Sequence, residues 1–155
     1  MKKLLAAAAL MLALPAVAAA RTGTEQFSFV TTSPTGVTFS AIGTGVFGDG
    51  GIATFPNKKS VGTIRFSRGT IKIKHVGGHT TQSGSNSQCY FKQVQTGGHF
   101  TILSGTGAYK GITGSGTATV TFLDVQPIIK GKCQQNATPL AVQGVIKASG
   151  RVVLP

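Results

Sequence analysis

Acidic side chains are nearly missing from this chain: Glu25, Asp49 and Asp124 are the only three among 155 residues. Three carboxyls give no support to the paired-acid arrangement that glycoside cleavage uses. There is no Trp and there are only two Tyr. Stacking platforms for nucleic acid need aromatics beside their positive charge, so nucleic acid is not expected as a partner. No G-x-S-x-G occurs, and Gly43-Thr-Gly45-Val-Phe-Gly48 satisfies G-x-G-x-x-G only formally. A dinucleotide site would need a helix opening in that loop and an acid about twenty residues on. Arg65 and Arg68 occupy that region instead. After Arg21 no ten-residue window shows helical spacing with a cap, and no segment is apolar enough to span a bilayer as a helix.

The one long apolar stretch stands at the N-terminus. Lys2 and Lys3 precede Leu4 to Ala20, which contains Pro15 and ends in Ala18-Ala19-Ala20 before Arg21. This is the charge, apolar-core and small-residue pattern of a bacterial-type secretory signal, and it falls short of the ~20 residues of a membrane span. The expected organisation is therefore a signal peptide at 1–20 and one β-barrel domain at 21–155, secreted or extracytoplasmic, with no membrane span after cleavage. Cleavage takes 20 of the 155 residues and leaves 135. In an oxidising compartment the two remaining cysteines, Cys89 and Cys133, read as a disulfide. Closing the 45 residues between and including them would contribute ~4 kcal/mol on the chain-entropy model.

What the chain has in quantity is glycine, basic charge and alternation. All 22 Gly follow Arg21, about 16% of that part against an average of ~7%. Removing Lys2 and Lys3 takes the 15 Lys and Arg to 13, against 3 acids, a net charge of +10. Such a balance favours anionic material, and an anionic cell-envelope polymer is one expected partner. Period-two alternation recurs throughout: Phe27 and Phe29; Val37, Phe39 and Ala41; Ile64 and Phe66; Ile71, Ile73 and His75; Cys89 to Val94; Phe100 and Ile102; Ala118, Val120 and Phe122; Val142 to Ala148; Arg151 to Leu154. Turn clusters are expected at Ser33 to Gly36, Gly48 to Gly51, Pro56-Asn57, Arg68-Gly69, Gly77-Gly78, Ser83 to Asn86, Gly97-Gly98 and Gly111 to Gly116. Short strands at this spacing indicate an all-β antiparallel barrel or sandwich, and a barrel leaves no unpaired edge. An outer-membrane barrel would need aromatic girdles, which eleven aromatics, mostly single Phe, do not supply.

The run from Phe100 to Val120 resembles the glycine-rich hairpin of the allene oxide cyclase and dirigent-like barrels. Phe100, Ile102, Gly105-Thr106-Gly107, Tyr109, Gly111 and Gly114 carry the resemblance. It is also similar to the hairpin of small secreted bacterial members of that superfamily, where stretches like Gly69 to His75 and Gly131-Lys132-Cys133 flank it. The resemblance implies a single antiparallel barrel of roughly eight strands, calycin-like, around an apolar cavity. It does not bring a catalytic residue with it, because no acid falls in the matching hairpin. Catalytic residues are therefore unassigned.

His75 continues the Ile71 and Ile73 face, so it would be a polar group in an apolar interior, the composition typical of a ligand pocket. With Phe100, Ile102 and Tyr109 of the hairpin these residues form the expected ligand-binding set. Tyr109 can alternatively fold back over its Gly-rich turn as a structural residue. His75-Val-Gly-Gly-His79 and His99 read as isolated histidines rather than metal ligands, because a Gly-Gly turn does not converge i, i+4 positions as a helix does. No metal or cofactor is expected. Asp49 or Asp124 could orient a histidine if the fold brought them together. The leading expectation is a non-enzymatic binder of a small apolar molecule. Alternatives are a cyclase or dirigent-like catalyst in the same cavity, with His75 or a Tyr assisting proton transfer, and a polycation on envelope polymer.

Overall fold

The computed structural model describes residues 19–56 and 60–155. The expected signal segment, apart from Ala19 and Ala20, and Asn57 of the expected Pro56-Asn57 turn lie outside the described residues. Eleven strands follow one another: β1 Arg21–Thr31, β2 Thr38–Thr44, β3 Asp49–Thr54, β4 Val61–Phe66, β5 Gly69–Val76, β6 His79–Ser85, β7 Tyr90–Gly105, β8 Thr113–Val125, β9 Ile128–Ile129, β10 Lys132–Cys133 and β11 Ala141–Leu154. A 3₁₀ turn, Gly107–Tyr109, separates β7 from β8.

The sheet runs β5-β4-β3-β2-β1-β11-β8-β7-β6, and β5 also pairs with β7. That extra pairing closes an eight-stranded antiparallel barrel, as alternation and the edge argument led one to expect. Its first strand lies beside its last, with Arg21 opposite Leu154. The inward positions are those of the alternating runs. Phe27, Phe29, Phe39, Ala41, Ile64, Phe66, Ile71, Ile73, Phe100 and Ile102 are all buried in one cluster. Each fully buried side chain of this size contributes roughly 1.5–3 kcal/mol, so the period-two pattern is what drives closure.

Two runs that look like separate strands in the sequence are one strand each. Tyr90 to Val94 and Phe100 with Ile102 fall within the 16 residues of β7, with Cys89 in the turn just before it, and Val142 to Leu154 lies within the 14 of β11. Strand β7 serves two partners: its first half pairs with β6, from Tyr90 opposite Ser85 to Thr96 opposite His79, and its second half pairs with β5, from His99 to Gly105. Gly97-Gly98, expected as a turn, is the bulge between the two halves, where the β7–β8 register shifts between Gln95 and Gly98. Gly97 takes φ +70, and a Cβ on Gly78 would lie 1.9 Å from the Thr96 carbonyl oxygen. The β5–β6 corner and the bulge therefore nest on each other, and only glycine allows that approach. Beyond them β6 and the outer halves of β7, β8 and β11 form an arm projecting from the barrel.

Other expected turns move by a few residues. Strand β3 already begins at Asp49, so the β2–β3 corner is at 45–48 rather than at Gly48 to Gly51. Strand β6 runs to Ser85 and its turn falls at 86–89, while Gly114 and Gly116 lie inside β8. Cys89 and Cys133 form a disulfide. It joins the β6–β7 turn to the small β9–β10 hairpin, so it pins the arm's tip rather than the barrel wall.

Candidate functional site: an apolar cavity at one end of the barrel

The strands arrange the interior into two ends. At the first, the 3₁₀ turn folds Tyr109 under the barrel, where its ring meets Phe47 at 4.8 Å and Phe66 at 5.6 Å between centroids. The Tyr109 hydroxyl donates to the Asp49 carboxylate. Asp49 also accepts from Ser67 Oγ at 2.6 Å and from Arg68 Nε at 3.2 Å. The Ser67 and Tyr109 hydroxyls, the Gly50 amide and Arg68 hold the Asp49 carboxyl well below the usual carboxylate range. Burial and the neighbouring carboxylate push the Tyr109 hydroxyl up to about 12. The network ties β3, the β4–β5 hairpin and the 3₁₀ turn together and shuts this end.

Glu25 lies at the same end and is fully buried. Its Oε2 accepts a hydrogen bond of 3.1 Å from the Phe47 amide, and burial raises its pKa despite that bond and one from the Val46 amide. The G-x-G-x-x-G corner wraps over it: a Cβ on Gly43 would lie 2.8 Å from the Phe47 ring and 3.0 Å from Glu25 Oε1. Gly43 and Gly45, whose Cβ would lie 2.1 Å from the Thr24 carbonyl oxygen, thus serve close packing, consistent with rejecting a dinucleotide loop.

The other end is hollow. A cavity of about 180 Å³ is walled by six phenylalanines, Phe27, Phe29, Phe39, Phe55, Phe100 and Phe122, with Ile64, Ile73, Ala118, Val120, Ile146 and Ala148. Polar character enters through His75, Gln95 and His99, beside Gly36, Val76, Gly77 and Gly98. Strand β5 aims His75 inward; its ring stands edge-on to Phe55 at 5.6 Å, and its backbone amide donates to Ser60 O at 2.7 Å. The arm contributes Gln95, Val120, Phe122 and Ile146, so the β7 bulge, by extending the wall, also shapes the cavity.

Of the expected ligand-binding set, Ile73, His75 and Phe100 line this cavity. Ile71 and Ile102 are buried deeper, outside the lining, and Tyr109 belongs to the closed end. His99 lines the cavity, whereas His79 is exposed on β6. Among the described residues no group of three His, Cys, Asp or Glu is placed to hold a metal ion. Asp49 is engaged at the closed end, and Asp124 lines a polar cleft beneath the disulfide with Gln126, Phe91 and Gln82. Neither lines the cavity that His75 and His99 border. Sequence reasoning left Glu25 unassigned although its parity with Phe27 and Phe29 places it on the inward face, read His99 only as an isolated histidine, and passed over Phe55 and Gln95, whose parts in the cavity depend on pairings between distant strands.

The class that these features define is a closed eight-stranded barrel, plugged at one end and carrying a phenylalanine-lined cavity at the other. Comparison with protein-family models, with curated proteins and with solved structures returned no match.

Proposed function

We propose that this protein binds a small apolar molecule in the barrel cavity without turning it over, as an extracytoplasmic domain of residues 21–155 released from its signal peptide. The single observation that carries the reading is the cavity itself: six phenylalanines around about 180 Å³, with His75, Gln95 and His99 the titratable or amide-bearing residues in its lining. An engineered apolar cavity of ~150 Å³ stays dry and takes up benzene, so this one suits a single ring with a few further atoms rather than a long chain. The absence of a carboxylate from its lining favours a binder over an acid–base catalyst. The resemblance of Phe100 to Val120 to the allene oxide cyclase and dirigent-like hairpin supports the same reading, because it implies a hollow barrel.

Native mass spectrometry of protein purified from its own host, followed by displacement of a polarity-sensitive dye by single-ring compounds, tests it. Ala148→Leu, which adds bulk to the cavity wall, should weaken dye binding at least tenfold while the fold persists. If nothing copurifies and no lipophilic compound competes, the reading fails.

The position of His75 in the cavity wall favours a second reading, a cyclase or dirigent-like catalyst in which His75 moves a proton. Product formation unaltered in His75→Ala would remove it. The net charge of the chain leaves contact with an anionic envelope polymer as a further role for the outer surface.

A further inference from the structure

The barrel's outer wall is not uniform. Across β1, β11 and β8 the outward positions include Thr24, Gln26, Ser115, Thr117, Thr119 and Ser149 with Lys147 and Arg151, a mainly polar surface on which Val30, 42% exposed, is the large aliphatic side chain. Across β3, β4, β5 and β7 the outward positions are different. Ile52 is 55% exposed, Leu103 51% and Val61 39%. Between them stand the exposed cations Arg65, Lys72 and Lys74. Register places them together: Ile52 pairs with Arg65, Val61 with Lys74, and Lys72 with Ser104, next to Leu103. No carboxylate neutralises these cations among the described residues. Glu25 is buried inside, Asp49 is held by Ser67, Arg68 and Tyr109, and Asp124 lies in the arm's cleft.

We propose that this wall docks on an anionic lipid surface. Charge complementarity calls for an anionic partner. The three aliphatic side chains set among the cations select lipid, because a hydrated polyanion offers them nowhere to leave water, whereas the region beneath lipid headgroups does. The same strand that carries Lys72 and Lys74 ends in Val76, 58% exposed and part of the cavity lining. A barrel resting on this wall therefore holds its cavity mouth close to the surface. The docking itself is independent of whether the cavity is occupied.

The test is co-sedimentation of the purified protein with vesicles of equimolar phosphatidylglycerol and phosphatidylcholine, compared with phosphatidylcholine alone. All variants share one N-terminus, confirmed by mass spectrometry, so differences between them report the wall. Lys72→Gln/Lys74→Gln should lower partitioning ~20- to 30-fold, at about fivefold per cation. Lys147→Gln/Arg151→Gln, which removes the same charge from the opposite wall, should change it less than about threefold. Ile52→Ser/Leu103→Ser should weaken vesicle binding but leave binding to dextran sulfate unchanged, and Leu103→Ser alone serves if the double variant melts early. Equal losses from the Lys72/Lys74 and Lys147/Arg151 variants would overturn the assignment to this wall. Vesicle binding indifferent to the serine variants would overturn lipid in favour of a soluble polyanion, and no preference for phosphatidylglycerol would overturn docking altogether.

Discussion

Glu25 and Asp49 sit at the same end of the barrel, yet their surroundings move their protons in opposite directions. A carboxyl whose folded pKa lies above its unfolded value of ~4.3 holds its proton more tightly when folded. The contribution of Glu25 is therefore fully present below that unfolded value and is lost as pH rises through the raised one. Asp49 is the reverse: its folded pKa is depressed, so its contribution is complete above ~3.9 and drains as pH falls. Glu25→Gln, which keeps the shape and removes the titration, should gain stability relative to the parent as pH rises from 4 to 8, with the difference between them closing again near pH 4. Melting temperatures of both proteins across that range check this, and parallel curves would contradict it. The inward position of Glu25 was legible in the sequence from its parity with Phe27. The raised pKa was not, because it depends on the β2–β3 corner folding over the carboxyl and bringing only the Val46 and Phe47 amides to it.

Element by element, the sequence resolved inward and outward faces far better than strand ends. Alternation depends only on local parity, so Phe39 and Ala41, or Ile71 and Ile73, could be assigned to the interior without knowing their partners. Glycines are ambiguous by contrast, since the same residue opens a turn, permits a bulge or lets two strands touch. Gly97-Gly98 reads as a turn and is a bulge; Gly116 reads as a turn and faces Gly150 across β8 and β11. Strand β6, His79–Ser85, has no apolar alternation and is visible only through its pairing with β7. The nested corner yields a sharp expectation. Gly78→Ala would press a methyl against the Thr96 carbonyl and should cost about 1–3 kcal/mol in denaturant unfolding. Gly48→Ala meets nothing within 4 Å and should stay within about 0.5 kcal/mol of the parent.

For the whole molecule, compactness comes from the ring of eight strands, while the disulfide acts on a limb of it. Cys89→Ser/Cys133→Ser should destabilise by at most the ~4 kcal/mol of the loop-closure model. The loss should be uneven. Amide hydrogen exchange should quicken in β6 and between Gln126 and Leu140, where the bridge and the Gln126 amide bond to Cys89 O hold the chain, and should change little in β1 to β5. Uniform loss of protection would show that arm and barrel open as one unit. The cavity was legible in the sequence only as a consequence of closure plus resemblance. Its size and its phenylalanine walls arise from the crossing of β1, β2, β7 and β8 with the loop after β3, which no local pattern records.

The adjacency of β1 and β11 bears on how the molecule comes into being. A chain emerging from the ribosome can zip hairpins β1–β2, β2–β3 and β3–β4 as it grows, yet the seam from Arg21 to Leu154 waits for the final strand to be synthesised. Until then the nascent product is an unsealed ribbon whose phenylalanines have no closed interior to enter, a form that a chaperone can still hold.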